Sequence, residues 1–383
     1  MSKRGIYGAV FVTVLLNLLG FGMLLPLLPT YARDDGASPT MVGVLIASYS
    51  AAQFVSAPVL GRISDRVGRA PVVAGCALVA AGGYLLFAVA DSLTWIFVAR
   101  ILTGLAAGRI AAAQATIADV TTPTERGPAM AVVGAGIGLG IVLGPALTAL
   151  TIPIWGTRAP FVIAAVASLA NALWAVVALP RTKGVTPPLL ATLGRVGRDP
   201  LLVILFVVNF LVMVAFSQIE SQLPLLTDHL LGFGPVENGY LFMYVGIVIV
   251  GFQLTGTRWL SRRLGDRRLI VIGLVCFAIG SAIAPLVTAW WQIVVPAGLI
   301  AIGNATQAPS LLSAISGRVG ADEQGAVLGA SHAIGSSGRI VGPVLGGLLL
   351  GTAGPPAPFV TAAAVFASLA ALMWLRRGFS AAP

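Results

Sequence analysis

Residues 140–145 read Gly-Ile-Val-Leu-Gly-Pro, and 198 residues later, at 338–343, the chain reads Gly-Arg-Ile-Val-Gly-Pro. At the same offset, Glu125 and Gly127 correspond to Glu323 and Gly325. Glycine lets two helices approach closely, and proline removes a helical hydrogen bond and bends the helix. The repeat therefore predicts two similar halves that pack and rock in the same way, through Gly140, Gly144 and Pro145 in one and Gly338, Gly342 and Pro343 in the other.

The composition is that of a membrane protein. Of the 383 residues, 57% are hydrophobic and 9% are charged, and the mean hydropathy is +0.96. Soluble domains contain about 25% charged residues. The composition therefore excludes a soluble enzyme, a disordered chain and a nucleic-acid-binding protein. Cys76 and Cys276 both lie inside apolar runs, which excludes a disulfide framework.

Twelve stretches are long and apolar enough to cross a bilayer, which takes about 20 residues. Their approximate bounds are 6–31, 41–61, 70–90, 93–118, 127–151, 157–179, 201–227, 236–257, 268–288, 290–316, 324–350 and 356–375. They are rich in small residues and show no alternation of polar and apolar positions, which favours helices over a barrel. The first stretch follows Lys3 and Arg4, as a signal peptide would, but it is too long for one, and we interpret it as the first span.

The basic residues predict the orientation of the spans. With the N-terminus inside, the inner loops hold eighteen Lys and Arg residues and the outer loops hold two, Arg33 and Arg158. Cytoplasmic loops carry such an excess, so we expect a multi-pass protein of the cell (inner) membrane with both termini in the cytoplasm. The spread of basic residues over every inner loop is unlike a nucleic-acid-binding patch.

A polar connection divides the spans into six and six. It covers 181–199 and is basic, and six spans preserve the direction of crossing, so the halves are parallel repeats. We expect an all-α membrane protein with twelve transmembrane helices, arranged as two parallel six-helix repeats around a central cavity. The predicted bundles are 1–180 and 200–383, joined by the cytoplasmic linker 181–199.

The inner loop after the second span carries a recognisable motif. Residues 61–69 read Gly-Arg-Ile-Ser-Asp-Arg-Val-Gly-Arg, which resembles the signature loop of the major facilitator superfamily, G-x-x-x-D-R-x-G-R. The resemblance implies a cytoplasmic gate that acts as a breakable latch, formed by Gly61, Asp65, Arg66, Gly68 and Arg69. The alternative is a basic membrane anchor with one incidental aspartate. The corresponding loop of the second half has Arg262, Arg263 and Gly265 but lacks the aspartate.

The first half resembles a narrower group, the tetracycline-type drug/proton antiporters. The resemblance lies in residues 17–29, 57–61 and 117–121, and the Gly-Pro motif at 140–145 is similar to that group's antiporter motif. It implies a secondary active transporter that works by alternating access and exports small amphipathic drug-like compounds in exchange for protons. Two positions depart from the group: Asn17 replaces an acid in span one, and Arg109 replaces a small residue in span four.

Charged residues inside the spans are rare and costly in lipid, so each is a candidate functional residue. Glu220 in span seven is the one acid away from a span end. Glu220 is a carboxyl that carries protons, a fixed counter-ion of Arg109 or Arg339, or, since it lies nearer the outer end of the span, a partly hydrated residue without function. His332 and Asp119 are further candidates for proton coupling. Arg100, in an R-x-x-x-G element similar to that of the superfamily, has either a packing or a coupling role.

Polar side chains inside spans predict a solute cavity, because amides are costly in lipid unless they meet water or a partner. Helix packing is the alternative for each of them. The candidates are Asn17, Arg109, Gln114, Gln218, Gln222, Asn304, Gln307 and Arg339.

The functional class that these patterns favour is a transporter. The chain has no motif of a metalloprotease or a phosphate-binding loop, and it has only two histidines, which argues against a membrane enzyme. No loop is long enough for the extramembrane domain of a typical receptor. We expect no cofactor and no metal, and we expect the lipid bilayer, a small solute and protons as partners of a functional monomer. Small organic anions or zwitterions, bound by the intramembrane arginines, are the alternative solutes.

Overall fold

The computed structural model describes residues 3–121, 123–180, 197 and 199–376, and these are almost wholly helical. The α-helices are α1 (Lys3–Leu24), α2 (Leu28–Asp34), α3 (Pro39–Val67), α4 (Arg69–Val89), α5 (Leu93–Ala107), α6 (Arg109–Val120), α7 (Pro123–Trp155), α8 (Ala159–Ala178), α9 (Pro200–Leu231), α10 (Pro235–Phe252), α11 (Arg258–Ile283), α12 (Val294–Ser316), α13 (Ala321–Ala353) and α14 (Ala357–Leu375). A π-helical turn, Gln253–Thr257, separates α10 from α11, and 3₁₀ turns at Ala284–Leu286 and Trp290–Ile293 precede α12. The part of the chain described above contains no strand.

The expected twelve-span architecture is consistent with this order. Within the described residues, eleven helical stretches are long and apolar enough to cross a membrane. The remaining expected span coincides with α12, a helix of 23 residues. Asn304, Thr306 and Gln307 lie within this helix and lower its hydropathy. Helices dominate because lipid offers no hydrogen-bond partner, so each span must satisfy its own backbone.

Two spans are interrupted. In span one, Pro26 lies in the turn between α1 and α2, since proline has no N–H to donate and its ring clashes with the preceding helical turn. In span four, α5 ends at Ala107 and α6 begins at Arg109. The backbone N–H of Ala111 donates to the Gly108 carbonyl at 3.2 Å, which tightens the chain at this break. The breaks matter because they place Arg109 at the start of a helix inside the membrane.

The chain forms two compact units. The first comprises Met1–Ala37, Leu45–Thr186 and Gly234–Met243, and the second comprises Ser38–Val44, Pro187–Phe233 and Tyr244–Pro383. The boundary at 180 and 200 stays a prediction, and the expected linker 181–199 lies outside the described residues except at 197 and 199.

Small residues allow the helices of the first unit to pack closely. Its core joins α1, α4, α6, α7 and α8 through a cluster in which alanine is the commonest residue. Val10 and Val73 are fully buried there, and so is Ala113. In a membrane, helix association depends on such close packing, because lipid is as apolar as the side chains.

The sequence repeat corresponds to a repeated helix contact. A methyl group on Gly140 of α7 would lie 2.6 Å from Leu18 Cβ of α1, and one on Gly338 of α13 would lie 2.8 Å from Met213 Cβ of α9. Gly144 approaches the backbone of α1 in the same way, and Gly342 approaches the backbone of α9. Any side chain at these positions would push the helices apart. The two Gly-Pro segments therefore make equivalent close helix contacts in the two units.

Candidate functional site

Arg69 joins three helix ends in the first unit, at the end that the basic residues predict to be cytoplasmic. Its side chain is 1% exposed, and its Nη1 lies 2.7 Å from Asp65 Oδ1. Its Nε donates to Asp119 Oδ2 at 3.1 Å, and its Nη1 donates to Ser64 Oγ at 2.6 Å. Gly68, at φ 101°, makes the turn that directs Arg69 back toward α3. One arginine thus joins the end of α3, the start of α4 and the end of α6.

The gate residues predicted from the motif have different surroundings. Gly61 and Gly68 are buried, whereas Arg66 is exposed. Asp119, which we considered as a proton carrier, is here a partner of Arg69, 50 residues away in sequence. The sequence analysis did not link Arg69 with Asp119. The one feature that could have linked them is that Asp119 is an acid at the end of a span, next to a basic loop.

The second unit contains a copy of this cluster with the charge reversed. Gly265 turns with φ 74° and ψ 161°, close to the φ 101° and ψ 155° of Gly68. The next residue is Asp266, in the place that Arg69 takes after Gly68. Asp266 Oδ1 accepts a hydrogen bond from Ser261 Oγ at 3.4 Å, and its Oδ2 accepts one from Ser313 Oγ at 2.6 Å.

The correspondence extends to the serines. Ser261 lies four residues before Gly265, as Ser64 lies four residues before Gly68, and Ser313 is near the end of α12 as Asp119 is near the end of α6. The motif comparison showed that the second half lacks a counterpart of Asp65. It did not identify Asp266 as the counterpart of Arg69, because the two residues have opposite charges.

Arg100 is buried between aromatic rings in the first unit. Its side chain is 2% exposed, and its guanidinium carbon lies 4.6 Å from the Tyr49 ring centroid and 5.6 Å from that of Phe21. A guanidinium over an aromatic face is attracted by the ring's negative potential. Gly104, one turn further along α5, lets α5 pack closely on the backbone of α3 at Tyr49. This geometry supports the packing role of Arg100.

Arg109 is buried without a carboxylate partner among the described residues. It is 1% exposed, and its Nη1 donates to the carbonyls of Cys76 and Ala106, each at 3.3 Å. Its Nε and Nη2 have no hydrogen-bond partner in the part of the chain that the structure covers. A buried guanidinium with unused donors is expensive, because water has been removed and not replaced.

Glu220 pairs with Arg339. The Arg339 Nη1 and Glu220 Oε2 atoms lie 3.2 Å apart, across α9 and α13, and the side chains are 31% and 15% exposed respectively. Of the two counter-ions considered from the sequence, Arg339 is the one that contacts Glu220 within the second unit.

Two glutamines that flank Glu220 face neighbouring helices. The Nε2 of Gln218 donates to the Pro358 carbonyl and to Thr361 Oγ1 at the start of α14. The Nε2 of Gln222 donates to Ser221 Oγ at 3.2 Å, and Gln222 is fully buried. This geometry supports the packing alternative for Gln218.

The remaining cavity candidates are spread over both units. Asn17 and Gln307 are buried, and neither amide nitrogen has a hydrogen-bond partner among the described residues. Gln307 packs against Gly273, which leaves room for it on α11. Gln114 and Asn304 are half-buried. His332, on α13, is exposed. No group of three or more metal-ligating side chains occurs within the described ranges.

Repeated helical units with a glycine-lined contact, rare buried charges and a charged turn are typical of a polytopic membrane protein. The chain belongs to the Major Facilitator Superfamily, whose sequence model matches residues 10–265 and 252–381. It is therefore a membrane transporter of small solutes and not an enzyme.

Relatives of the chain support the narrower resemblance to tetracycline-type efflux proteins. Multidrug resistance protein 2 of Bacillus subtilis (strain 168) is 28% identical over 356 residues, which cover 89% of this chain and 88% of the relative. Tetracycline resistance protein, class B, of Escherichia coli is 27% identical over 345 residues, covering 87% and 86%. The crystal structure of the human organic anion transporter MFSD10 (TETRAN) is similar with a TM-score of 0.72 and 25% identity, covering 97% of this chain and 100% of that one.

Proposed function

We propose that this transporter exports small amphipathic organic compounds in exchange for protons, by alternating access. Support comes from the resistance proteins that match nearly the whole chain at 27–28% identity. The proposed proton coupling depends on Glu220. It is the one carboxylate, among the described side chains, that lies well inside a span, and its partner Arg339 is 3.2 Å away.

The Glu220 side chain is only partly covered by protein, at 15% exposure, and Arg339 is its counter-ion. Coupling requires that this contact differ between the conformations of the transport cycle. Asn17 occupies the position of the membrane acid in the resembled antiporters, and Asn cannot carry a proton, so the role passes to Glu220.

The orientation that we propose follows the basic residues. The inner loops hold the excess of Lys and Arg, so both termini face the cytoplasm in the inner membrane of a cell. We propose a monomer as the functional unit, since Glu220 and its counter-ion Arg339 lie in the same chain.

Organic anions are the second candidate solutes. The specific observation is Arg109, a buried guanidinium with two nitrogens that lack partners among the described residues. An arginine fork suits a carboxylate or phosphate. The similarity to MFSD10, an organic anion transporter by its description, favours the same class.

Proteoliposomes test the function directly. Tetracycline should accumulate in vesicles with an acidic lumen, remain chemically unchanged, and be released when nigericin collapses the pH gradient. The variant Glu220→Gln should lose accumulation but keep downhill exchange, because Gln preserves shape and hydrogen bonding without titrating. Glu237→Gln, the same substitution at an exposed position at the start of α10, is the matched control. Accumulation that survives in Glu220→Gln would remove Glu220 from coupling.

A further inference from the structure

The contact between α4 and α5 in the first unit is repeated by α11 and α12 in the second. A methyl group on Gly83 would lie 3.3 Å from the Ala99 carbonyl oxygen. One on Gly280 would lie 2.8 Å from the Pro296 carbonyl oxygen. Gly280 follows Gly83 by 197 residues, and Pro296 follows Ala99 by the same number. This offset, which also separates the positive-φ glycines of the two clusters described above, identifies equivalent positions in the two helix pairs.

At this offset Thr306 of α12 is the counterpart of Arg109. Thr306 is fully buried, and its Oγ1 donates to the carbonyl oxygen of Gly303, three residues earlier, at 3.1 Å. Arg109 is 1% exposed, and its Nη1 donates to the carbonyl oxygen of Ala106, three residues earlier, at 3.3 Å. The two side chains thus make the same hydrogen bond at equivalent positions. Because a threonine hydroxyl suffices for it, packing at this position needs no positive charge.

The guanidinium of Arg109 has one complete edge that no described residue uses. Nη1 makes both hydrogen bonds of the side chain, whereas Nε and Nη2 have no partner in the part of the chain that the structure describes. Nε and Nη2 form one edge of the planar group, the fork through which arginine binds an anion with two parallel N–H donors. A buried donor pair without an acceptor is unfavourable, because water has been removed from it.

The described groups that face Arg109 do not balance its charge. Those that act on it electrostatically are Tyr84, Tyr49 and Cys76, and all three side chains are uncharged at neutral pH. A buried charge without a counter-ion is more unfavourable than an unpaired dipole. A negative ion on the unused edge would remove both costs.

The backbone beside Arg109 also differs from that of its counterpart. Helix α12 is continuous over Val294–Ser316, whereas the equivalent stretch of the first unit ends at Ala107 and restarts at Arg109 as α6. The N-terminus of a helix carries a partial positive charge and attracts anions. Of the two equivalent positions, only that of Arg109 therefore combines a helix start with an unused guanidinium edge.

We propose that the start of α6 is a binding site for a halide ion, chloride in the cell, held by Nε and Nη2 of Arg109. The burial of the guanidinium favours a small ion, because a bulky anion would need the surrounding helices to separate. An organic anion that binds Arg109 would have to displace the halide, so the two should compete. The site does not depend on the proposed export function, since the ion balances the charge of Arg109 whatever solute is carried.

Thermal unfolding of the detergent-purified full chain tests the proposal. Sodium chloride replaces sodium gluconate in steps, so that the ionic strength does not change. The melting temperature should rise saturably, by about 2 °C or more once chloride exceeds its Kd about tenfold. Bromide should act like chloride.

Two variants and a matched control assign the effect to Arg109. Arg109→Thr introduces the side chain of the equivalent position, so it should fold, lose the chloride response and melt no earlier than the wild type in gluconate. Arg109→Lys keeps the charge but not the fork, and should need about tenfold more chloride. Thr306→Val removes the equivalent hydroxyl in the second unit and should keep the full chloride response. Gel filtration establishes that each variant is folded.

Crystals soaked in sodium bromide locate the ion, whose anomalous signal should appear beside Nε and Nη2 of Arg109. The absence of a chloride response in the folded wild type would overturn the proposal and assign these donors to water. So would a response that survives in Arg109→Thr, or a bromide signal elsewhere only. Stabilisation by sodium benzoate with none by chloride would overturn the halide and assign the edge to organic anions. A chloride response together with failed tetracycline accumulation would remove the export function and leave this site intact.

Discussion

Arg69 and Asp266 occupy the same place in the two halves and carry opposite charges. Each follows a glycine with positive φ, and each interacts with a serine four residues before that glycine. Arg69 reaches two acids, whereas Asp266 reaches two hydroxyls. The same backbone turn thus supports an ion-pair network in one half and a hydroxyl–carboxylate network in the other. The cytoplasmic ends of the two halves should therefore respond differently to mutation.

Asp65→Asn is expected to weaken the cytoplasmic gate, because it removes one of two acids from a buried arginine. Loss of a charge-assisted contact typically costs about 1.5–3 kcal/mol. Transport should fall strongly while membrane insertion stays normal, measured as flux in proteoliposomes against protein recovered in membranes. Asp34→Asn, the same substitution in an exposed ion pair with Arg33, serves as the control. Full flux in Asp65→Asn would contradict the gating role.

Arg69→Gln should destabilise the chain more than Asp266→Asn does. The first change removes the guanidinium that contacts both Asp65 and Asp119, whereas the second keeps an oxygen acceptor for Ser313. We expect about 2–4 kcal/mol for Arg69→Gln and about 1 kcal/mol or less for Asp266→Asn. Thermal unfolding in detergent, followed for both variants, gives the comparison. Equal losses of melting temperature would mean that the cluster around Asp266 stabilises the chain as much as the cluster around Arg69 does.

Arg109→Met is expected to maintain or raise the melting temperature while it weakens the binding of anionic solutes. The guanidinium has unused buried donors, so an apolar side chain of similar length removes a desolvation cost. Arg100→Met is the contrasting variant, because it deletes a cation–π contact with two rings and should lower stability by about 1–2 kcal/mol. A marked loss of stability in Arg109→Met, with anion binding intact, would assign Arg109 to packing.

The pair Asp199–Arg318 predicts a pH dependence outside the membrane. Partial burial raises the pKa of Asp199, but the hydrogen bonds from Arg318 and from the N–H groups of Leu201 and Leu202 outweigh it and lower the pKa below its ordinary 3.8. A depressed pKa contributes stability above the unfolded value, and this contribution is lost as the pH falls through the folded value.

Asp199→Asn tests this dependence, because Asn still caps α9 and loses only the charge. The melting temperature of the wild type should exceed that of the variant at neutral pH, by the equivalent of about 0.5–1 kcal/mol. The difference should begin to shrink near pH 3.8 and vanish once the pH is below the lowered pKa of Asp199. A difference that persists in acid would show that the cap, and not the ion pair, stabilises this end.

Many features of the fold were predictable because they depend on local chemistry. Long apolar runs predict spans, since every span must be a helix in lipid. Gly140 and Gly338 predict close contacts, because only glycine leaves the space that the neighbouring helix fills. The breaks in spans one and four were not predicted, although Pro26 and Gly108 are residues that favour them.

The sequence alone determined that the chain crosses the membrane about twelve times and that it repeats itself, because hydropathy and residue spacing are properties of the chain. Only the tertiary structure decided the partners of its buried charges. Arg339 and Glu220 are 119 residues apart, and Arg69 and Asp119 are 50 apart. Which side chains meet depends on the faces that packed helices present to each other. A charge in lipid has a partner only where that packing places one within about 4 Å.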